Sequence, residues 1–381
     1  MEEALSAPLG GLVPFRHLYV HIPFCWHKCG YCDFNAYAGM DRLMPDYQLG
    51  VERELEQAVA RLPFGSLLTV YFGGGTPSLL PANLMARMLA HIRGTFEIEA
   101  DAEVTLEANP ASTDPERLAT WREAGVNRLS LGVQGFDPRA LAVLERRTDG
   151  AQAERAFRQA REAGFTNVSL DLIYGVPFQD MPSWEGTVRR AIELGPEHMS
   201  CYCLTFEEGT LLFRRRERGL LPAVDSDTQW YQLDAADRLL RAAGFDRYEV
   251  SSWAREARRS RHNQAYWDCR PVYGAGAGAH SYATDGEGAW RWWNVARPGD
   301  YVGAAGSGSM EAGREELTLE RARAERVMLG LRTTSGVEPP AGFEEPLAAL
   351  EKAELVVRSG RRYLPTRRGL DLHNRIALAV L

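Results

Sequence analysis

Short apolar, β-branched runs alternate along the first 250 residues with longer runs whose apolar positions recur every three or four residues. The short runs predict strands over 17–22, 67–72, 103–107, 128–133, 167–173 and 198–204. The longer ones predict helices over 45–61, 81–93, 114–124, 152–163 and 183–194. Several of these open on Ser, Asp or Pro and close on Gly, as capped helices do. Strands alternating with helices imply right-handed βαβ units and a parallel sheet. Six units are too few for a closed eight-stranded barrel, which leaves a partial (β/α)6 TIM-like barrel or an open doubly wound sheet. Glu107, Gln134 and Asp171 fall at or just past strand C-terminal ends, where barrels build their active sites. No GxGxxG follows the first strand, which weakens the dinucleotide-binding alternative. The expected fold is therefore α/β, a partial barrel.

After about residue 250 the rhythm breaks. The small-residue stretches 274–279 and 303–313 read as loops. A helix over 316–331, a shorter one over 346–352 and two short strands over 355–358 and 362–365 predict a small α/β, winged-helix-like lobe. The expected organisation is an N-terminal extension over 1–15, a barrel over 16–255 and a C-terminal domain over 256–381.

The 381 residues are 45% hydrophobic and 25% charged, ordinary for a chain that buries a sizeable core. A net charge of -7 makes nucleic acid a poor default partner, and the basic run Arg214, Arg215, Arg216 reads as a solvated helix face. No apolar run approaches the roughly 20 residues that span a bilayer. The opening MEEALSAPLGGLVPF does not read as a signal peptide, so the expected compartment is the cytoplasm.

Three of the 6 cysteines, Cys25, Cys29 and Cys32, crowd into eight residues directly after the first strand. In a long chain without a secretory signal, such a cluster reads as metal or redox chemistry. A four-iron cluster usually takes four thiolates, so three leave one iron open for chemistry. The alternatives are a zinc site completed by His27 or His21, which would make the chain a structural or interaction protein, and an inert thiol cluster. Cys201 and Cys203 alternate along a predicted strand and read as core or barrel-lining residues. The second strand ends in Gly73, Gly74 and Gly75, followed by Thr76 and Pro77. Glycines there let backbone approach a ligand closely, so a valine at Gly74 is expected to intrude on that ligand.

The CxxxCxxC spacing and the GGGTP segment resemble the radical S-adenosylmethionine (SAM) superfamily. The resemblance implies a 4Fe-4S cluster on Cys25, Cys29 and Cys32 whose open iron chelates the methionyl amino and carboxylate groups of SAM. One electron from the cluster would then yield methionine and a 5′-deoxyadenosyl radical. It assigns Gly74, Gly75 and Thr76 to the methionyl group, and Tyr19, Tyr31, Glu107, Gln134, Arg146 and Asp171 to SAM. From about Leu18 onward the chain resembles the coproporphyrinogen-related branch, which holds oxygen-independent coproporphyrinogen III oxidases and heme chaperones. Phe34 stands where the oxidases typically carry a further Cys, and little chain precedes the first strand to form their N-terminal arm. The run 260–267 (SRHNQAYW) resembles the HNxxYW motif of the chaperones. That resemblance implies heme binding by His262, Asn263, Tyr266 and Trp267, with His280 as a secondary ligand candidate. Gly135 replaces a serine common in the family. The implied function is delivery of heme to acceptor proteins such as respiratory enzymes, with peripheral membrane contact left open. The alternative is radical decarboxylation of coproporphyrinogen III propionates.

Overall fold

A computed structural model describes residues 11–255 and 257–381 of the chain, so most of the expected N-terminal extension lies outside the described residues. Six strands carry the barrel: β1 (Phe15–Ile22), β2 (Phe64–Gly74), β3 (Ile98–Ala108), β4 (Arg128–Gln134), β5 (Val168–Tyr174) and β6 (His198–Cys203). Each pairs parallel with the next. Helices α1 (Met44–Arg61), α2 (Ala82–Thr95), α3 (Pro115–Glu123), α4 (Pro138–Val143), α5 (Gly150–Glu162) and α6 (Met181–Leu194) form the connections.

The strands sort their side chains by the two-residue period of a pleated sheet. Leu18 and Val20 of β1, Val70 and Phe72 of β2, and Leu129 and Leu131 of β4 belong to the main core. The alternate positions are polar, among them His17, Thr69, Thr105, Ser130, Ser169 and Ser200, all buried. Closed TIM barrels fill this space with branched apolar side chains. Here the inner wall is hydrogen-bonding, as suits a barrel that encloses a polar site.

After α7 (Leu211–Glu217) and α8 (Ser226–Ala242) the chain adds β7 (Asp246–Glu249) and β8 (Ser252–Ala254), with β8 antiparallel to β6. It then crosses to the opposite edge, through α9 (Arg261–Trp267), and β9 (Val272–Ala275) pairs parallel with β1. The strands β10 (His280–Thr284), β11 (Ala289–Asn294) and β12 (Glu311–Leu317) follow as an antiparallel meander. The sheet has 12 strands in the order β12-β11-β10-β9-β1-β2-β3-β4-β5-β6-β8-β7. Residues beyond 255 thus continue the barrel sheet.

Two glycine-rich stretches expected as loops are loops only in part, over 276–279 and 308–310. Gly274 and Ala275 end β9, and 303–313 divides between α10 (Pro298–Ser307) and β12. Gly276 and Gly278 turn the chain at φ +99° and +70°, while Gly274 and Gly313 serve close approach. A Cβ at Gly274 would lie 2.2 Å from the His280 carbonyl oxygen, and one at Gly313 would lie 2.6 Å from the Trp293 ring. Glu54 of α1 fastens the extension. Its buried carboxylate accepts from Tyr273 (3.1 Å), the Gly276 N–H (2.8 Å), Asn294 (2.7 Å) and the Tyr301 hydroxyl.

The expected helix over 316–331 begins later, as α11 (Leu319–Gly330), capped by Thr318. Glu315 and Glu316 belong to β12 because they pair across it with Arg291 and Trp290 of β11. With α12 (Glu344–Lys352), the hairpin β13 (Val356–Ser359) and β14 (Arg362–Pro365), α13 (Arg367–Asp371) and α14 (His373–Val380), α11 builds a lobe with a core of its own, around Val327, Leu347 and Ile376.

Candidate active site at the barrel mouth

A cavity of about 330 Å³ opens at the C-terminal ends of the barrel strands. Cys25, Cys29 and Cys32 all line it. Their loop is closed at its root by a two-residue parallel pairing, Phe24 with Tyr37 and Cys25 with Ala38. The Cys32 N–H donates to the Cys29 carbonyl at 3.1 Å, which turns the chain between them. Cys25 Sγ lies 3.3 Å from the Thr76 hydroxyl, and an Arg146 N–H reaches Cys29 Sγ at 3.8 Å. Burial pushes the Cys25 thiol up and the Cys32 thiol up to about 11. Such thiols become thiolates only when a strong positive charge joins them, as cluster iron would. Among the described residues no three His, Cys, Asp or Glu side chains converge to hold a single metal ion. Three thiols spread around one cavity, with a guanidinium beside them, fit the wider body of an iron-sulfur cluster.

The glycine segment meets this loop. The Gly75 N–H donates to the Ile22 carbonyl at 2.9 Å, and a Cβ on Gly75 would lie 2.8 Å from the Phe24 oxygen and 3.1 Å from Cys25 Sγ. Gly74 sits at φ +117°, a region side chains avoid, and a Cβ there would lie 2.6 Å from the His21 ring. A valine at Gly74 therefore strikes the protein's own imidazole, and the expectation that it would act by intruding on a ligand needs that correction. Thr76 lines the cavity beside it.

Glu107 accepts from the Tyr71 hydroxyl at 2.7 Å and from the Gly74 N–H at 3.2 Å, tying β3 to the glycine segment. Asp171 accepts from Ser130 at 2.9 Å, and burial pushes its carboxyl up. Gln134 takes φ +67° where the β4–β5 register slips, and that turn brings it to the cavity wall. Arg146 and Tyr31 also line the cavity. Tyr19 lies apart from the lining, in an aromatic layer where its hydroxyl meets His21 Nδ1 at 3.0 Å and its ring stacks on Tyr71. Sequence reasoning missed Arg128, Ser130, Ser200 and Tyr202, which also line the cavity. The alternation of polar positions on β4 and β6 was the available signal.

Burial pushes the Glu107 carboxyl up to about 7, from an ordinary 4.5, against the Tyr71 hydrogen bond and helped by Asp171. The folded value lies above the unfolded one, so the fold holds this proton more tightly. Its stabilisation is complete below pH 4.5 and fades as pH rises, to be lost above about 7. SAM-free protein is therefore expected to unfold at progressively lower denaturant between those limits, with Glu107→Gln flattening the slope. A variant profile parallel to wild type would assign the slope to another group.

The motif around His262 lies on α9, which spans from the β8 edge of the barrel to β9. His262 is fully buried. Its Nδ1 is 2.7 Å from the Thr69 hydroxyl, its Nε2 is 3.2 Å from the Tyr266 hydroxyl, and its ring stacks on Tyr71 at 4.9 Å. As folded, it offers no free nitrogen to a heme iron. Asn263 faces the cavity. Trp267 lies under the Arg332 guanidinium at 4.3 Å, against the C-terminal lobe. The four motif residues face three different environments instead of one porphyrin-sized surface.

Residues 19–191 match the radical SAM superfamily. The chain is 43% identical over 363 residues to the heme chaperone HemW of Mycobacterium tuberculosis (strain CDC 1551 / Oshkosh), covering 93% of this chain and 90% of that protein. It is 35% identical to the heme chaperone HemW of Bacillus subtilis (strain 168), covering 84% of each. The solved coproporphyrinogen III oxidase HemN of Escherichia coli, a radical SAM enzyme, superposes with a TM-score of 0.83 over 98% of this chain and 91% of that one, at 23% identity. With a cysteine loop, a glycine segment and strand-end carboxylates meeting in one cavity, the chain belongs to the radical SAM superfamily and, within it, to the HemW family.

Proposed function

We propose that this chain is a heme chaperone, which binds heme and delivers it to acceptor proteins such as respiratory enzymes. The observation that carries this reading is the 43% identity, over 93% of the chain, to a protein named heme chaperone HemW. Phe34, in place of a further thiol after Cys32, agrees with it. Cys25, Cys29 and Cys32 would hold the 4Fe-4S cluster, which when bound supplies an open iron for the methionyl end of SAM and one electron. Gly74, Gly75 and Thr76 would bring backbone and hydroxyl close to that end. Glu107 and Asp171 are carboxylates suited to accept from ribose hydroxyls. Arg146 suits a carboxylate, and Gln134 and Tyr31 complete the proposed SAM set, from which Tyr19 is removed by its position outside the cavity. Asn263 lines the same cavity, which supports reading it with SAM instead of heme. No helix among the described residues is long and apolar enough to cross a membrane, and the cytoplasm is the compartment proposed.

Anaerobically reconstituted protein, titrated with heme and separately incubated with coproporphyrinogen III, SAM and a reductant, tests this reading. The expected result is stoichiometric heme uptake and no protoporphyrinogen. Protoporphyrinogen formed with sustained turnover would install the oxidase reading, and absence of heme uptake would remove the chaperone reading.

A further inference from the structure

Helix α9 is fastened to the barrel from within. Glu103 of β3 accepts from the backbone N–H groups of Arg261 at 3.2 Å and His262 at 3.1 Å, and the Ser260 N–H donates to the Tyr248 hydroxyl at 3.2 Å. Glu103 and its ion-pair partner Arg128, 3.9 Å away, are both almost fully buried.

The helix thereby sets His262 against β2. Thr69 and Tyr71 follow one another on one face of that strand, and the imidazole meets both. Its Nδ1 lies 2.7 Å from the Thr69 hydroxyl, and its ring stacks on Tyr71 with planes 26° from parallel. Tyr266, one helical turn on, stands edge-on to the imidazole at 5.1 Å and meets its Nε2 through the hydroxyl. Tyr19 also stacks on Tyr71. Gly73 makes room for these rings, since a Cβ there would lie 2.9 Å from the Tyr19 ring and 3.0 Å from the Tyr71 ring. A phenol ring has few torsions, so a clamp on the ring fixes the place of its hydroxyl. The Tyr71 hydroxyl donates to Glu107 at 2.7 Å, and the same carboxylate accepts from the Gly74 N–H. Tyr71 and Glu107 both line the cavity.

We propose that α9 is the floor of the SAM site: His262, backed by Tyr266, holds the Tyr71 ring, and Tyr71 holds the Glu107 carboxylate where it accepts from a ribose hydroxyl. The inference rests on the assignment of Glu107 to SAM. It makes Tyr71 and His262 positioning residues and gives the α9 motif a role that needs no contact with heme. A carboxylate held beforehand by a hydroxyl and a backbone N–H has less freedom left to lose when a ligand binds, which favours binding. The relay also sets the charge of Glu107. Burial pushes its carboxyl up and the Tyr71 hydrogen bond pulls it down; Asp171 of β5 adds to the first, the Gly74 N–H and Arg128 of β4 to the second. Tyr19 of β1 and Tyr266 of α9 lie within its electrostatic reach. Without the Tyr71 hydroxyl, Glu107 therefore stays protonated to higher pH.

The test is a SAM titration of anaerobic, cluster-loaded wild type, Tyr71→Phe, His262→Ala, His262→Phe and Val188→Ala, from about pH 6 to about pH 9. Binding is read by calorimetry and by the change SAM makes in the electron paramagnetic resonance of the reduced cluster, and cluster absorbance reports that each variant is folded. Tyr71→Phe is expected to lose about tenfold in SAM affinity at neutral pH, with its curve of affinity against pH displaced to higher pH by about one unit. His262→Ala moves both in the same direction, and His262→Phe, which restores a flat ring against Tyr71, recovers them. Val188 is a fully buried core residue of α6 outside the cavity lining, so Val188→Ala lowers stability and keeps the wild-type curve. If wild type binds SAM and Tyr71→Phe follows its curve, or Val188→Ala is displaced as far, the relay is overturned and the SAM reading stands. If wild type binds no SAM, or Glu107→Gln leaves affinity and its pH dependence unchanged, the assignment of Glu107 falls and the relay with it.

Discussion

Cys32→Ala, reconstituted anaerobically with iron and sulfide, is expected to lack the broad visible absorbance of the cluster, while Cys201→Ala and Cys203→Ala keep it. The loss should be all but complete, because a cluster already short of a fourth protein ligand has none to spare. Cys203 makes this a demanding comparison, since it lines the same cavity as the three loop cysteines. It differs from them in position. It ends β6 at the barrel wall, where its Sγ lies 3.3 Å from the Cβ position of Gly175, and it is not part of the loop that closes through the Phe24 and Cys25 pairing. Cys201 is almost fully buried in the main core. A cluster that survived loss of Cys32 and vanished with Cys203 would overturn the ligand assignment.

His262→Ala is expected to cost about 2–5 kcal/mol of stability, the range for emptying a large buried side chain, measured by denaturant unfolding. The ring is fully buried against Tyr71 and sits in a hydrogen-bonded chain. His17 Nδ1 is 2.9 Å and His262 Nδ1 is 2.7 Å from the single Thr69 hydroxyl, which has one proton to donate and so must accept from one of the two rings. Removing His262 leaves the Tyr266 hydroxyl without its partner and opens a void behind the barrel wall. Its backbone N–H, bonded to Glu103 at 3.1 Å, remains. A variant as stable as wild type but devoid of heme would return His262 to the role of iron ligand. A destabilised variant that still takes up heme agrees with its sealed position.

The alternation of six strand and helix patterns, the CxxxCxxC loop and the GGGTP segment were legible because each depends on residues close in sequence. A two-residue period identifies a strand wherever it lies, and a loop of eight residues is short enough to bring three thiols to one cavity. The strand-end carboxylates Glu107 and Asp171 could be read in the same way, because parallel strands deliver their C-terminal ends to one mouth. Gly274 and Gly313 misled, unlike the turn glycines Gly276 and Gly278, because a glycine required for close packing and one required for a turn are the same letter. Only the fold puts Gly274 against the His280 carbonyl and Gly313 under Trp293.

The placement of the HNxxYW motif was decided by tertiary structure alone. Its residues are contiguous, but a helix turns successive side chains through about 100°. What each one meets depends on strands far away in sequence: β2 for His262, the cavity for Asn263 and the C-terminal lobe for Trp267. Sequence by itself determined the superfamily and the residues expected to carry its chemistry. Which histidine stays open to solvent was determined by the chain crossing from one edge of the incomplete barrel to the other, which buries His262 on the way and leaves His280 on the outer sheet.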